Sequence, residues 1–289
     1  MKFEKKKKSV FAKKSFGQNF LIDQNYVEKI VSALNLSKDD IIVEIGAGRG
    51  ALTEKLIESG ALVCAIELDR DLIPLLAEQF GAFENFAIVH QDALKVDFHQ
   101  LRDDLNRKSK IENPKSLKLV ANLPYNIATA ILQRLIEQRE NFSEMVLMFQ
   151  REVVERMTAA PGTSERGFLT VLVETYLEAK KLFDVPPDAF RPAPKVQSAV
   201  VRLKPREDAF ISDEKLFREL ISAGFAQRRK TILNNLKNAI DFTRKTKIDA
   251  EKLLELSGID PRRRAETLTV NEWKGLLPGD INLSLNPSL

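Results

Sequence analysis

The 289-residue chain has one cysteine, Cys64, so it cannot form an intrachain disulfide. Lack of a disulfide framework favours a reducing compartment such as the cytoplasm. Cys64 lies inside the apolar run Ala61 to Ile66, where a small buried hydrophobe is expected rather than a nucleophile. Histidine is nearly as scarce. His90 and His99 are the only two, and neither is assigned a catalytic role. No metal centre is expected. No stretch approaches the ~18 apolar residues of a membrane helix. The basic start, Met1 to Lys14, is not followed by the apolar region of a signal peptide. Glu4 and a single early serine fit a transit peptide poorly. No internal repeat of fixed period is present.

What the chain does have is the profile of a globular protein, 44% hydrophobic and 30% charged. Its length predicts two domains at roughly 150 residues each. It is long enough to bury a substantial core without staples. A net charge of +4 says little, but its distribution says more. Seven lysines fall in the first fourteen residues, and Gln227-Arg228-Arg229-Lys230 and Pro261-Arg262-Arg263-Arg264 lie toward the other end. Such clusters attract polyanions through counterion release. For any one cluster, a solvated helix face explains the charge equally well.

Hydrophobic patterning predicts an α/β domain followed by a small helical one. Ile41 to Ile45 reads as a buried strand entering a glycine turn, and Leu52 to Ser59 as a helix stopped by Gly60. Leu62 to Leu68, Phe86 to His90, Leu117 to Ala121 and Met145 to Phe149 read as further strands. Helices are expected at Asp71 to Phe80 and Ala128 to Gln138. The polar stretch His99 to Lys118 reads as a surface helix or loop. Strands alternating with helices imply a parallel sheet covered on both faces. Phe168 to Ala179 is predicted helical. Phe183-Asp184-Val185 and Ser198 to Leu203 read as two strands forming an antiparallel edge. Lys204 to Asp208 is the best boundary. Beyond it only helical patterning appears, at Lys215 to Ala226, Thr231 to Ala239 and Ala250 to Leu256. The expected division is a flexible basic tail over 1–14, a cofactor-binding catalytic domain over 15–205 and a helical domain over 206–289.

Glu44-Ile45-Gly46-Ala47-Gly48-Arg49-Gly50 sits between a strand and a helix, where glycines let backbone approach a ligand. Glu67 closes the next strand, 21 positions after Gly46. An acid about 20 residues on is where doubly wound folds grip a ribose. The spacing is Gly-x-Gly-x-Gly, not the Gly-x-Gly-x-x-Gly of a pyrophosphate site, and Arg49 is the only base that follows directly. S-adenosylmethionine carries no phosphate and has a sulfonium cation. Carboxylates at successive strand ends, from Glu44, Glu67 and Asp92, suit it better. Asp92, followed by Ala93, can accept from an adenine amino group, although an Asx turn or N-cap explains it as well in isolation.

Asn122-Leu123-Pro124-Tyr125 follows the fourth strand of this series, where an open parallel sheet places its ligands. A plain turn is one explanation. Chemistry offers a fuller one. The N6 lone pair of adenine is delocalised into the ring and must be freed for attack. The Asn122 side-chain oxygen and the Leu123 carbonyl can both accept N6–H bonds, favouring the tetrahedral amine that develops. Pro124 fixes φ and removes a competing N–H. Tyr125 can stack on an extracted base.

Together with Glu44 to Gly50 and Gly17-Gln18-Asn19-Phe20-Leu21, this tetrapeptide resembles the ribosomal RNA adenine dimethyltransferase family over about Lys13 to Trp273. Within it the chain most resembles the small-subunit, kasugamycin-sensitivity branch. Phe225 to Thr231 and the proline-lysine segment before Val196 distinguish it from the erythromycin-resistance branch, which modifies large-subunit RNA. The resemblance implies a Rossmann-like S-adenosylmethionine-dependent methyltransferase sheet with a small all-helical C-terminal domain. It implies dimethylation of adenine N6 in small-subunit (16S) RNA, met within an immature small-subunit particle, by a cytoplasmic monomer. It also implies cofactor contacts from Gln18, Asn19, Leu21, Gly46, Gly48, Glu67, Leu68, Asp92, Ala93 and Asn122. Phe190, in Phe190-Arg191-Pro192, matches an aromatic that sandwiches the flipped adenine with Tyr125. Arg228, Arg229, Lys230, Arg262, Arg263 and Arg264 are the expected RNA contacts. A large-subunit methylase, a non-catalytic nucleic-acid-binding assembly factor and a nicotinamide-dependent oxidoreductase are the alternatives.

Overall fold

The computed structural model describes Lys13 and residues 17–109, 116–238 and 249–277. The expected basic tail, apart from Lys13, lies outside these residues. So do part of the polar stretch before Lys118 and the Ala239 end of one expected helix. Two compact units emerge, Met1–Val154 with Lys180–Pro205, and Glu155–Ala179 with Arg206–Leu289.

The first unit is built on a seven-stranded sheet. Its strands in chain order are β2 (Ile41–Ile45), β3 (Leu62–Glu67), β4 (Phe86–His90), β5 (Leu117–Asn122), β6 (Phe142–Gln150), β7 (Leu177–Val185) and β9 (Ser198–Pro205). A separate two-stranded pair joins β1 (Phe20–Leu21) to β8 (Phe190–Arg191), antiparallel. The large sheet runs β4-β3-β2-β5-β6-β9-β7. Strands β4, β3, β2, β5 and β6 pair in parallel, and β9 pairs antiparallel to β6, with Met145 opposite Leu203. All five residues of β2 are buried, which explains why four of them are apolar; Glu44 is the exception. The order reverses between β2 and β5. In an open sheet that switch point leaves a crevice at the strands' carboxyl ends.

Helix α1 (Gln24–Ala33) was not legible in the patterning. Asp23 caps it by accepting from the Asn25 N–H, and Val27 and Ile30 turn inward. Cations hold its C-terminal end to the sheet. Lys118 donates to the carbonyls of Leu34 and Asn35, and Arg202 to that of Ala33. Helix α2 (Ala51–Glu58) follows the glycine turn, α3 (Ile73–Phe80) follows β3, α4 (Phe98–Lys108) follows β4, and α5 (Ala128–Glu137) follows the Asn122 loop. The polar stretch resolves into α4, capped by Asp97. One core gathers Leu21, Val27, Ile42, Leu56, Val120 and Val200.

The strand β7 begins at Leu177, not after Ala179 as expected. Its neighbour β9 supplies a ladder for it, and that pairing outweighs the helical spacing of the sequence. The segment Glu155–Ala179, expected with the catalytic domain, clusters with the C-terminal unit. Arg166 is one tie that holds it there, and the Gly162 N–H donating to the Glu266 carbonyl at 2.8 Å is another. The buried Arg166 guanidinium donates to the carbonyls of Leu268 and Ala159 and pairs with Glu174 at 2.6 Å. In that unit the helices Phe168–Tyr176, Glu214–Gly224, Ile232–Lys237, Ala250–Leu256 and Val270–Gly275 surround a fully buried Trp273, whose ring stacks on Phe225.

Candidate active site

A cavity of about 270 Å³ occupies the switch-point crevice. Gly46 and Gly48 from the turn after β2, Glu67 and Leu68 from the end of β3, Asp92 and Ala93 after β4, and Asn122 at the end of β5 line it. Gln18 and Asn19 close it from the N-terminal segment. Each of these residues was expected here.

Backbone conformation explains the glycines. Gly46 has φ +73°, and a Cβ there would meet nothing within 4 Å, because the cavity opens above it. Gly48 has φ +58°, and a Cβ would press on the Phe20 ring at 3.1 Å. Both positions favour glycine, one to admit a ligand and one to admit the Phe20 wall.

Glu67 does double service. Its Oε1 accepts from the N–H groups of Leu68 and Asp69, and its Oε2 from that of Gly48, each at 2.9 Å. A carboxylate offers about four acceptor directions, so Oε2 keeps capacity for one further donor such as a ribose hydroxyl. Asp92 caps a short turn by accepting from the Leu94 N–H at 3.0 Å through Oδ1. The capping and ligand readings of this residue are thus compatible. Asp69, unforeseen, also lines the cavity. Burial pushes its carboxyl up, but the Lys13 ammonium at 2.5 Å, the Asp71 N–H and the Gln18 amide outweigh this and hold it below its ordinary value.

The Asn122 amide is oriented. Its Nδ2 donates to the Asn19 carbonyl at 3.0 Å, which leaves Oδ1 as an acceptor at the rim of the cavity. Pro124 lines the cavity, and Leu123 is buried. The Tyr125 hydroxyl lies 2.5 Å from the Ser198 Oγ. Burial pushes that phenol up, partly offset by the Ser198 bond.

Three expectations are corrected. Leu21 does not line this cavity; it packs into the core at 4% exposure, while Phe20 faces the ligand space. Successive strand residues point to opposite faces, and β1 turns Phe20 to the site. Phe190, paired with Leu21 across β1 and β8, is fully buried in the same core and shows no open face to a base. Glu44 lies beneath the turn rather than in the cavity, accepting from the Thr53 hydroxyl at 2.6 Å; burial pushes its carboxyl up to about 7. Among residues missed, Ile127 and Ile131 share a face through i,i+4 spacing and supply apolar wall.

The basic clusters also divide. Arg263 grips Glu272 with both terminal nitrogens and is half-buried, so it is committed to the fold. Arg262 pairs with Asp260 and Arg264 with Glu266. Arg228 donates to the Ser164 carbonyl. Arg229 and Lys230 are exposed and make no ion pair among the described residues.

The donor set tests the expected cofactor. The cavity lining holds three carboxylates, Glu67, Asp69 and Asp92, and no lysine or arginine. Ile66, Leu68, Leu94 and Ile131 give an apolar slot for a flat base. That set fits a cationic nucleoside without phosphate and disfavours a pyrophosphate. Sheet order, glycine turn and acid-lined crevice define a Rossmann-like methyltransferase.

Comparison with known proteins is more specific. The sequence profile of the ribosomal RNA adenine dimethylase family matches residues 10–275. The chain belongs to that family. It is 44% identical over 266 residues to a ribosomal RNA small subunit methyltransferase A from Geobacillus thermodenitrificans, covering 91% of this chain and 89% of the relative. It is 43% identical to the protein of that name from Clostridium botulinum, with 90% of each chain covered. A dimethyladenosine transferase from Plasmodium falciparum superposes with a TM-score of 0.72 at 28% identity, covering 92% of this chain and 98% of the other. The fold is also that of the 23S rRNA methyltransferase ErmE, with a TM-score of 0.64 at 22% identity.

Proposed function

We propose that the protein transfers methyl groups from S-adenosylmethionine to N6 of adenines in small-subunit ribosomal RNA, giving N6,N6-dimethyladenosine. The observation that carries this reading is the oriented Asn122 amide at the rim of a cavity lined by acids and no bases. Relatives at 42% to 44% identity, named for the small subunit, support the choice of RNA.

The bound cofactor supplies an electrophilic methyl on a sulfonium. The protein's part is position and charge. Glu67 Oε2 and Asp92 hold the nucleoside at its ribose and base, and the apolar slot excludes water. Asn122 Oδ1 and the Leu123 carbonyl accept the N6–H bonds of an extruded adenine. They turn its lone pair toward the methyl and stabilise the tetrahedral amine as it forms. No general base near neutral pKa is needed, because the departing proton leaves an ammonium-like nitrogen that is strongly acidic. Tyr125 supplies a stacking face. Arg229 and Lys230 meet RNA phosphates in a sequence-independent way. The substrate is an immature small-subunit particle, and the enzyme acts as a cytoplasmic monomer.

Cofactor choice is tested by thermal unfolding. S-adenosylhomocysteine should raise the melting temperature and NAD should not. Stabilisation by NAD alone would reject the assignment.

A further inference from the structure

We infer that Ser198 is a positioning residue for methyl transfer, holding the Tyr125 ring in the orientation in which it receives the target adenine. The inference rests on the proposed adenine-methyltransferase reading of the site.

Ser198 opens β9 and lies opposite Gln150, the last residue of β6. With β6 on one side and β7 on the other, its backbone is fixed by the sheet. It is fully buried and is followed by Ala199, Val200 and Val201. A buried hydroxyl is costly unless it is hydrogen-bonded, and serine is a weaker strand former than the valines beside it. Packing alone gives no reason for the hydroxyl. Its partner gives one. The Tyr125 Oη lies 2.5 Å away, and among the described residues neither hydroxyl has another partner.

Tyr125 needs such a tether. It sits in a loop between β5 and α5, half-buried, three residues after the Asn122 that aims the reactive nitrogen. A bond at Oη fixes the long axis of the ring. A phenolic O–H prefers the plane of its ring, so the bond also restrains rotation about that axis. Phe190, the other aromatic expected around the base, is sealed in the core, whereas Tyr125 keeps accessible surface. The tilt of a stacked adenine is then set mainly by Tyr125, and a small tilt moves N6 off the line of attack. The chain thus reaches from a rigid strand, through one hydroxyl pair, to the angle of the reacting base.

The test uses the full-length protein with small-subunit RNA or particles from cells lacking the modification. Ser198→Ala should slow single-turnover methylation by about tenfold, the upper range for one lost hydrogen bond. S-adenosylhomocysteine should still raise the melting temperature by the same amount. Tyr125→Phe should produce the same loss, and the double variant should be no slower than either single one. Ser198→Thr should recover most of the rate. A serine that serves only packing would instead give losses that multiply in the double variant, and that result overturns the inference. So does a wild-type rate in Ser198→Ala.

An activity-independent measurement separates this inference from the proposed function. The chain has three tyrosines, so the resonance of Tyr125 in protein labelled at the tyrosine ζ carbon is assignable by its loss in Tyr125→Phe. Ser198→Ala should shift and broaden that resonance. An unchanged resonance refutes the tether even if methylation is normal. Absence of methylation by the wild type, with the resonance shifted as expected, refutes the substrate reading and leaves the tether standing.

Discussion

Glu44→Gln should flatten the dependence of stability on pH between about 4.5 and 7. Glu44 is 1% exposed within β2, and its nearest polar partner is the Thr53 hydroxyl at 2.6 Å. Burial penalises the charged form and dominates. The Thr53 bond opposes it, and the charge of Glu67 adds to it, so the carboxyl rises from 4.5 to about 7. A carboxyl raised in the folded state binds its proton more tightly there than in the unfolded chain. Below pH 4.5 both states hold the proton, and stability from this residue is at its greatest. As pH rises, the unfolded chain ionises first, and folding loses ~1.4 kcal/mol per pH unit. The loss totals on the order of 3 kcal/mol by pH 7 and then stops. Glutamine keeps an oxygen for Thr53 and cannot ionise. Its amide nitrogen adds a constant offset, so the slope is the quantity to read. Urea unfolding of both proteins at half-unit steps from pH 4.5 to 8, in the absence of cofactor, gives the difference directly. Parallel curves for the two proteins would refute the reasoning, and a difference of opposite sign would mean that Glu44 is charged when folded.

Asn122→Ala should lower turnover by at least about a hundredfold, the scale for loss of one preorganised transition-state acceptor or donor. Filter binding should show unchanged RNA affinity, and the reverse pattern would reject the catalytic role. Gly224→Ala should cost about 1–3 kcal/mol, because a Cβ there overlaps the Trp273 indole. Trp273 is the only tryptophan, so fluorescence-detected unfolding reports the C-terminal unit alone. By the same probe, Arg166→Met should cost about 1–3 kcal/mol, since it leaves the Leu268 carbonyl without its buried donor while Glu174 keeps access to solvent.

Much of this was legible in the sequence where one rule acted without competition. The strands at Ile41, Leu62 and Leu117 read as largely apolar runs because a parallel sheet covers its inner strands on both faces, and the half-buried edge strand at Phe86 carries a short apolar run of its own. Gly46, Glu67 and Asn122 stood out because turn chemistry and strand ends coincide there. Non-local effects were hidden. Leu177 looks helical by spacing and becomes strand because β9 lies beside it. The segment around Arg166 joins the C-terminal unit through the Leu268 carbonyl, 102 residues away in sequence. The choice between Phe20 and Leu21 turns on which face of a two-residue strand meets the cavity, and that depends on its pairing with β8. Arg263 read as a free cation because Glu272, its partner, is nine positions on, beyond the reach of a single helical turn.

The measurement that bears most directly on the proposed function uses tritiated S-adenosylmethionine with immature small subunits from cells lacking the activity. Protein-free small-subunit and large-subunit RNA run alongside, and nucleosides are analysed afterwards. The expected result is label in N6,N6-dimethyladenosine from the small-subunit particle. Label confined to large-subunit RNA, or absent from every RNA while S-adenosylhomocysteine still binds, would contradict it.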